Sequence, residues 1–319
     1  MRVFRGIPSL AERVDCALTI GNFDGVHRGH QALLAHVVAA ARQRGIEAAV
    51  LSFEPHPREL FTPESAPARI SNIRDKLEGL AACGIDRVYI KHFNRRFASR
   101  TPQEFIDQVL VDGLRTRWLT VGDDFRFGAR RAGDTQWLAA QAAAGGYEFQ
   151  VMPTVQDGPL RVSSSAVREA LAAGELKRAG TLLGRPYSIS GRVLHGAKLG
   201  RTIGFPTLNL RVSGSRSGGR PALHGVYTVR VHGLGPVPIN GVASVGLRPT
   251  VTADGHWLVE VHLFDFAEQV YGRLVRVEFV HKLRDEEKYE SLAELTAAIE
   301  RDAVRARQLL APVGAAAGA

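Results

Sequence analysis

The sequence predicts two architectures in tandem: an α/β domain on a parallel sheet, then a small antiparallel β-barrel with a closing helix. Three observations predict this. Up to about residue 155, short apolar runs alternate with longer amphipathic stretches, the pattern of βαβ units. From residue 184 onward the apolar period becomes two, and Gly and Pro crowd in. A helical period returns over 292–310. A chain of 319 residues has room for two domains, and the change of period divides them into 1–184 and 185–310. Residues 311–319, APVGAAAGA, read as a disordered tail.

The elements follow in order. Strands are predicted over 17–20, 48–53, 87–90, 118–121 and 147–152, each a short β-branched or apolar run. Between them the 3.6-residue period predicts helices over 30–44, 72–83, 102–111 and 135–144. A helical pair over 163–172 and 175–183 is separated by Gly174. In the second half Tyr227, Val229 and Val231 share one strand face, as do Trp257, Val259 and Val261, and Val275, Val277 and Phe279. Residues 213–220, SGSRSGGR, form a flexible loop within that barrel.

Composition narrows the function. No run of about 18 apolar residues is present, so no helix should cross a membrane. The N-terminus is charged and broken by Pro8, unlike a secretion signal. Two cysteines, Cys16 and Cys83, are too few for a disulfide framework or a zinc cluster. A cytoplasmic protein is expected. The formal charge is +9, and only six of the 41 basic residues are Lys. Such a balance suits nucleic acid, small phosphorylated substrates, or solubility alone. The charges are dispersed, without a block of five or six.

Residues 21–31 read GNFDGVHRGHQ and follow the first predicted strand, where an α/β sheet places its ligand. Gly21, Gly25 and Gly29 allow the backbone to turn tightly and approach a ligand. His27 and His30 are three apart at a helix start and share a face. With the free N–H groups of that helix end, two imidazoles make a polyphosphate site. His-x-Gly-His taken alone is equally a Gly-rich turn with surface histidines. Further along, Ser163 or Ser164 can cap a helix on which Arg168 can fork onto a phosphate.

These strings, taken together, resemble the HxGH nucleotidyltransferases, and more narrowly the bacterial FAD synthetases. Residues 52–57 (SFEPHP, with His56), 121–128 (VGDDFRFG) and 161–168 (RVSSSAVR) resemble that family's later segments, in order. The resemblance implies a Rossmann-like nucleotidyltransferase domain that transfers adenylyl from ATP to FMN and releases pyrophosphate. It implies that His27 and His30 stabilise the triphosphate, that Ser164, Ser165 and Arg168 close over it, and that Asn22, Gly25 and His56 complete the phosphate site. It gives Phe61 and Asp124 to the flavin side, although Phe61 reads more readily as core, and the position of Asp124, where the resemblance allows Asn, has no fixed role.

The second half has its own constellation. Thr207 and Asn209 are two apart on a strand and point the same way. As neutral oxygen ligands they suit Mg²⁺ held mostly by ATP phosphates and water. Residues 204–209, GFPTLN, resemble the flavokinase motif, with Leu208 in place of Ala. Residues 240–251 and 258–266 resemble later flavokinase segments. Glu260 alternates out of phase with its apolar neighbours and is the candidate general base. In the family reading it takes a proton from the terminal ribityl hydroxyl of riboflavin while the ATP γ-phosphate is transferred. Lys198 and Arg201 are candidates for ATP contact, or for a solvated Gly-rich loop. Arg284 is a candidate for flavin contact, or part of a solvated charge run.

The reading is thus a bifunctional enzyme whose ligands are riboflavin, FMN, FAD and ATP with Mg²⁺, without nucleic acid, membrane or protein partner. Two alternatives are a transferase acting on another phosphorylated metabolite and a basic barrel that binds nucleic acid. The second needs aromatics exposed on a basic face, and Trp257 and Tyr227 fall instead on alternating apolar faces. A non-catalytic flavin regulator has no need of Glu260, His27 and His30.

Overall fold

The computed structural model describes residues 1–153, 156–157, 160–196, 200, 203–212, 220–248 and 256–311. It forms two compact units: Met1–Pro67 with Lys76–Ser164, and Ala68–Asp75 with Ser165–Ala319. The first is built on a six-stranded parallel sheet: β1 (Arg2–Arg5), β2 (Cys16–Ile20), β3 (Glu47–Glu54), β4 (Arg87–His92), β5 (Thr116–Gly122) and β6 (Glu148–Met152). The order is β1-β4-β3-β2-β5-β6. The chain moves outward from β2 in both directions, so the carboxyl end of β2 lies at a topological switch point.

Alternation along each strand builds a core on either side of this sheet. Leu18, Leu51 and Leu119 face one cluster with Phe97 and Phe105. Ala17, Val50 and Trp118 face the other, beneath helix α1 (Arg28–Arg44). Both faces are covered, as a parallel sheet requires. Cys16 is sealed under the first cluster, where burial pushes its thiol up to about 12. Its Sγ donates to the Leu114 carbonyl, so it is a packing residue and not a nucleophile.

Helices α2 (Pro57–Phe61) and α4 (Arg95–Ala98) follow β3 and β4, and α3 (Ile73–Ala82) packs Leu77 and Leu80 into the cluster beneath α1. The helix predicted over 102–111 is two pieces. An α-helical turn, α5 (Pro102–Phe105), is started by a Thr101–Glu104 capping box, and a π-helical turn continues it over Ile106–Val111. The π turn keeps Ile106, Val109 and Leu110 buried and leads to Gly113, where a Cβ would lie 2.7 Å from the Gln108 carbonyl oxygen. Helix α6 (Thr135–Gly145) and a short hairpin, β7 (Gln156–Asp157) with β8 (Leu160–Arg161), complete the unit.

In the second unit, α7 (Ser164–Ala173) and α8 (Leu176–Leu183) precede six antiparallel strands. These are β9 (Ser188–Arg192), β10 (Thr207–Arg211), β11 (Gly225–His232), β12 (Ile239–Arg248), β13 (His256–Leu263) and β14 (Leu274–Arg284), ordered β10-β13-β12-β11-β14-β9. One isolated bridge, Leu194 with Asn209, nearly closes the barrel. Tyr227, Val229, Val231, Val259, Val261 and Val277 are fully buried, as the alternation predicts. The closing helix (Leu292–Leu310) is capped by Ser291 and packs Ala306 and Leu310 against Phe264.

The segment Ala68–Asp75, whose end opens the helix predicted over 72–83, joins this unit through long-range bonds. The Tyr187 hydroxyl donates to the Ile70 carbonyl at 2.9 Å, and Asn72 Nδ2 donates to the Ser190 carbonyl at 2.8 Å. The predicted loop over 213–220 and tail over 311–319 lie outside the described residues, save for Arg220 and Ala311. Among the described residues no helix is long and apolar enough to cross a membrane.

Candidate active sites

The loop after β2 carries the first site. Three residues of its backbone are unusual: Phe23 (φ 48°), Gly25 (φ 84°) and Val26 (φ 42°) all have positive φ. For a β-branched residue such as Val26 this is a strained conformation of the kind that clusters at functional sites. It is held by Gln31, whose Nε2 donates to the Val26 carbonyl at 2.8 Å, and by Gly79 on α3, where a Cβ would press on the Val26 methyls at 3.0 Å. Ser52, at the end of β3, donates to the Asn22 carbonyl. The Asn22 Oδ1 atom is buried and has no hydrogen-bond partner among the described residues.

The strained loop delivers His27 to the N-cap of α1. Its Nδ1 accepts the backbone N–H of His30 at 3.2 Å, so the ring proton resides on Nε2. The His27 and His30 rings stack with centroids 3.7 Å apart, and Phe23 backs His30 at 5.0 Å. The first turn of α1 carries no acidic residue, so its positive end is not compensated there. Gly29 lies between the two histidines. A Cβ there would meet the Val162 carbonyl oxygen at 3.1 Å and the His27 ring at 3.2 Å.

Both histidines line a cavity of about 240 Å³ together with Asp124 and Ser164. Ser164 Oγ also donates to the Asp24 carbonyl at 3.1 Å, a bond within the first unit. Sequence reasoning gave no site role to Asp123, Met152, Pro153 and Val162, and named Ser163 only as a helix cap, yet all five line the same cavity. Asp123, Val162 and Ser163 lie within the quoted motif strings. Met152 and Pro153 carry no signal of their own and arrive because β6 ends beside β5.

The other predicted residues of this half are not among those lining the cavity. His56 caps α2: its Nδ1 accepts the Arg58 N–H, and Glu59 returns a bond to the His56 N–H. Phe61 is 62% exposed and rests edge-on against Phe93. Ser165 is exposed on α7, and Arg168 Nε donates to the Ala68 carbonyl at 2.6 Å, within the second unit.

The barrel holds the second site. On neighbouring strands Asn209 pairs with Glu260, and Glu260 pairs with Ser244, so the three occupy adjacent positions on β10, β13 and β12. Residues in register share a face, which places Asn209 beside Glu260. Thr207 is paired with His262, two positions on. Gly196 comes so close to the Asn209 amide that a Cβ would overlap it. Ser244 Oγ donates to Glu286 at 2.8 Å. Arg284 is fully engaged: Nε and Nη2 fork onto the buried Asp302 of the closing helix, and Nη1 donates to the Asp285 carbonyl. Lys198 and Arg201 lie outside the described residues.

A histidine pair on a helix N-terminus at the switch point, with a Thr-x-Asn strand beside a barrel carboxylate, defines a two-domain phosphate-transfer enzyme. The sequence pattern of FAD synthetase matches residues 10–166, and that of riboflavin kinase matches 183–310. The chain belongs to the family of bifunctional riboflavin kinase/FMN adenylyltransferases. It is 48% identical to the protein of that description from Escherichia coli K12, over 97% of each chain. It is 47% identical to the one from Pseudomonas fluorescens, over 98% of this chain and 99% of that one. A crystal structure of a Streptococcus pneumoniae chain described as a macrolide-efflux protein covers 94% of this chain and 96% of its own, with a TM-score of 0.70 at 29% identity.

Proposed function

We infer that this chain makes FAD in two ATP-dependent steps, phosphorylating riboflavin in the barrel and adenylylating FMN in the α/β unit. The observation that carries the reading is the end-to-end match, with both family patterns in this order on one chain. We retain residues 1–184 and 185–310 as the two functional domains, and the cytoplasm as the compartment.

In the kinase step, Glu260 accepts the proton of the terminal ribityl hydroxyl as that oxygen attacks the γ-phosphorus of ATP, and ADP leaves. Thr207 and Asn209 suit Mg²⁺, because a pair of neutral oxygens leaves most coordination positions to phosphate and water. The close approach of Gly196 to the Asn209 amide limits its freedom to turn away. When bound, Mg²⁺ neutralises phosphate charge. Lys198 and Arg201 are assigned to ATP. Arg284 holds Asp302 of the closing helix with Nε and Nη2 and the Asp285 carbonyl with Nη1, and its assignment to flavin contact is kept as read from the sequence.

In the second step a phosphate oxygen of FMN attacks the α-phosphorus of ATP and pyrophosphate leaves. The reaction needs alignment and charge stabilisation, with no covalent intermediate. His27 Nε2–H and His30 donate to the triphosphate beside the α1 N-terminus. Asn22 and Gly25 shape the loop under it, and Ser164, Ser165 and Arg168 cover it. His56 contributes by fixing the start of α2, which carries Phe61 to the flavin side with Asp124.

The test is a time course of pure protein with riboflavin, ATP and Mg²⁺, with the flavins separated by chromatography. FMN should appear first and FAD later. Glu260→Gln should abolish FMN formation while sparing FAD formation from added FMN, and His30→Ala should do the reverse. Full adenylylation by His30→Ala would remove the assignment of the first site.

A further inference from the structure

On the face of the parallel sheet opposite α1, positive charge gathers; Glu104, whose carboxylate accepts the Thr101 N–H and hydroxyl, feels the Arg100 charge but makes no ion pair with it. Lys91 lies near the carboxyl end of β4, and its Nζ stands 5.3 Å from the centroid of the Phe97 ring. The Arg100 guanidinium carbon stands 5.1 Å from the same centroid. Phe97 is buried in α4, fixed by the Asn94 cap and by edge contacts with Phe93 and Phe105, and Arg96 is its neighbour on that helix. Among the described residues no carboxylate lies within ion-pair distance of Lys91, Arg96 or Arg100. The Arg100 Nε atom is buried and has no acceptor among the described residues. Burial, and then the charges of Arg100 and Arg96, hold the Lys91 ammonium below its ordinary value.

Stacking on an aromatic ring stabilises a cation, but it gives a buried N–H no acceptor. The missing component is an anion with several oxygens, since a guanidinium fork matches a phosphate and a lysine adds a point charge. The strand order β4-β3-β2 puts this cluster two strand spacings, about 10 Å, from the switch point and on the same edge of the sheet.

We propose that Lys91, Arg96 and Arg100 hold a phosphate oxyanion, and that its physiological source is the pyrophosphate released by adenylyl transfer. The choice of pyrophosphate rests on the function proposed above; the oxyanion site itself does not.

The full-length protein is treated with a limiting dose of an amine-acylating reagent, and each lysine is quantified by peptide mass spectrometry. The other five lysines are the internal reference. Samples contain sodium pyrophosphate, inorganic phosphate or chloride at equal ionic strength. Acylation of Lys91 should fall about tenfold at pyrophosphate concentrations ten times its dissociation constant, fall less with inorganic phosphate, and not change with chloride. Equal protection by chloride, or none by either phosphate, overturns the site. Equal protection by the two phosphates at equal concentration overturns the pyrophosphate assignment. Arg100→Met should remove the protection while leaving FMN formation from riboflavin unchanged, and retained protection overturns the role of Arg100. If that variant does not fold, Arg96→Gln, exposed on α4, is read in the same way. FAD formation is assayed separately, so a protein that protects Lys91 but makes no FAD refutes the function and keeps the site.

Discussion

Gly29 shows how little room the first site has. Its missing side chain lets the first turn of α1 lie against both the His27 ring and the Val162 carbonyl. Gly29→Ala is expected to push the imidazole by a few tenths of an ångström. Adenylylation of FMN should drop about 10- to 100-fold, as misplaced catalytic groups do, with riboflavin phosphorylation unchanged in the same preparation. Steady-state rates for the two half-reactions measured separately check this, and a parallel loss of both would point to misfolding. At the same scale, the sequence showed which side chains matter more readily than what they touch. His27 and His30 were legible from spacing alone, because three residues on a helix fix a shared face. The strain at Phe23 and Val26 was not, since nothing in those residue types announces positive φ. His56 was legible as part of a motif, but its bond to the Arg58 N–H could not be read before the helix start was known.

Elements are held in place by charge pairs of different depth. The Arg284–Asp302 fork fastens the closing helix to β14, with side chains 22% and 11% exposed. Asp302→Ala leaves that guanidinium without its carboxylate, and about 1–3 kcal/mol of stability should be lost. Thermal unfolding should register the loss as a lower Tm. On the other unit, Asp86 accepts two bonds from Arg42 and the N–H of Ala48. The Arg42 bonds, against the cost of burial, hold the Asp86 carboxyl below the ordinary aspartate value. A depressed carboxylate stabilises the fold above its unfolded pKa, near 4, and the contribution is lost as pH falls through the folded value. Asp86→Asn should therefore cost about 0.5–1 kcal/mol at pH 7, and the gap to the parent should close in urea titrations run below about pH 4. Elements with a clean period were legible: the five predicted parallel strands and the barrel alternation depend only on which face is buried. Strand β1 was not, because RVFR is mostly exposed and Phe4 is its one apolar residue besides Val3, with the Arg2 and Arg87 guanidiniums over its ring. The π turn over Ile106–Val111 shares its buried positions with an ordinary helix, so periodicity could not separate the two.

For the whole molecule, the two halves were legible from a change of period, whereas the membership of Ala68–Asp75 in the second unit was not. Its attachment is made by a tyrosine hydroxyl and an asparagine amide more than a hundred positions away, and such bonds leave no local pattern. The barrel presents a different kind of long-range dependence. Its sheet is nearly closed where the Leu194 N–H donates to the Asn209 carbonyl at 2.8 Å. Asn209 thus serves with its backbone as a seam and with its side chain as the proposed phosphate-side ligand. Anything that holds that side chain also holds the seam, so nucleotide occupancy and local unfolding oppose each other. Amide exchange at Leu194 should slow when Mg²⁺ and ATP are added, and Asn209→Ala should remove the slowing. An exchange rate indifferent to nucleotide would uncouple the two roles. If they are coupled, the cylinder is a clasp: the cofactor precursor is made only while the last stitch of the fabric is drawn tight, and a loosened barrel is an idle one.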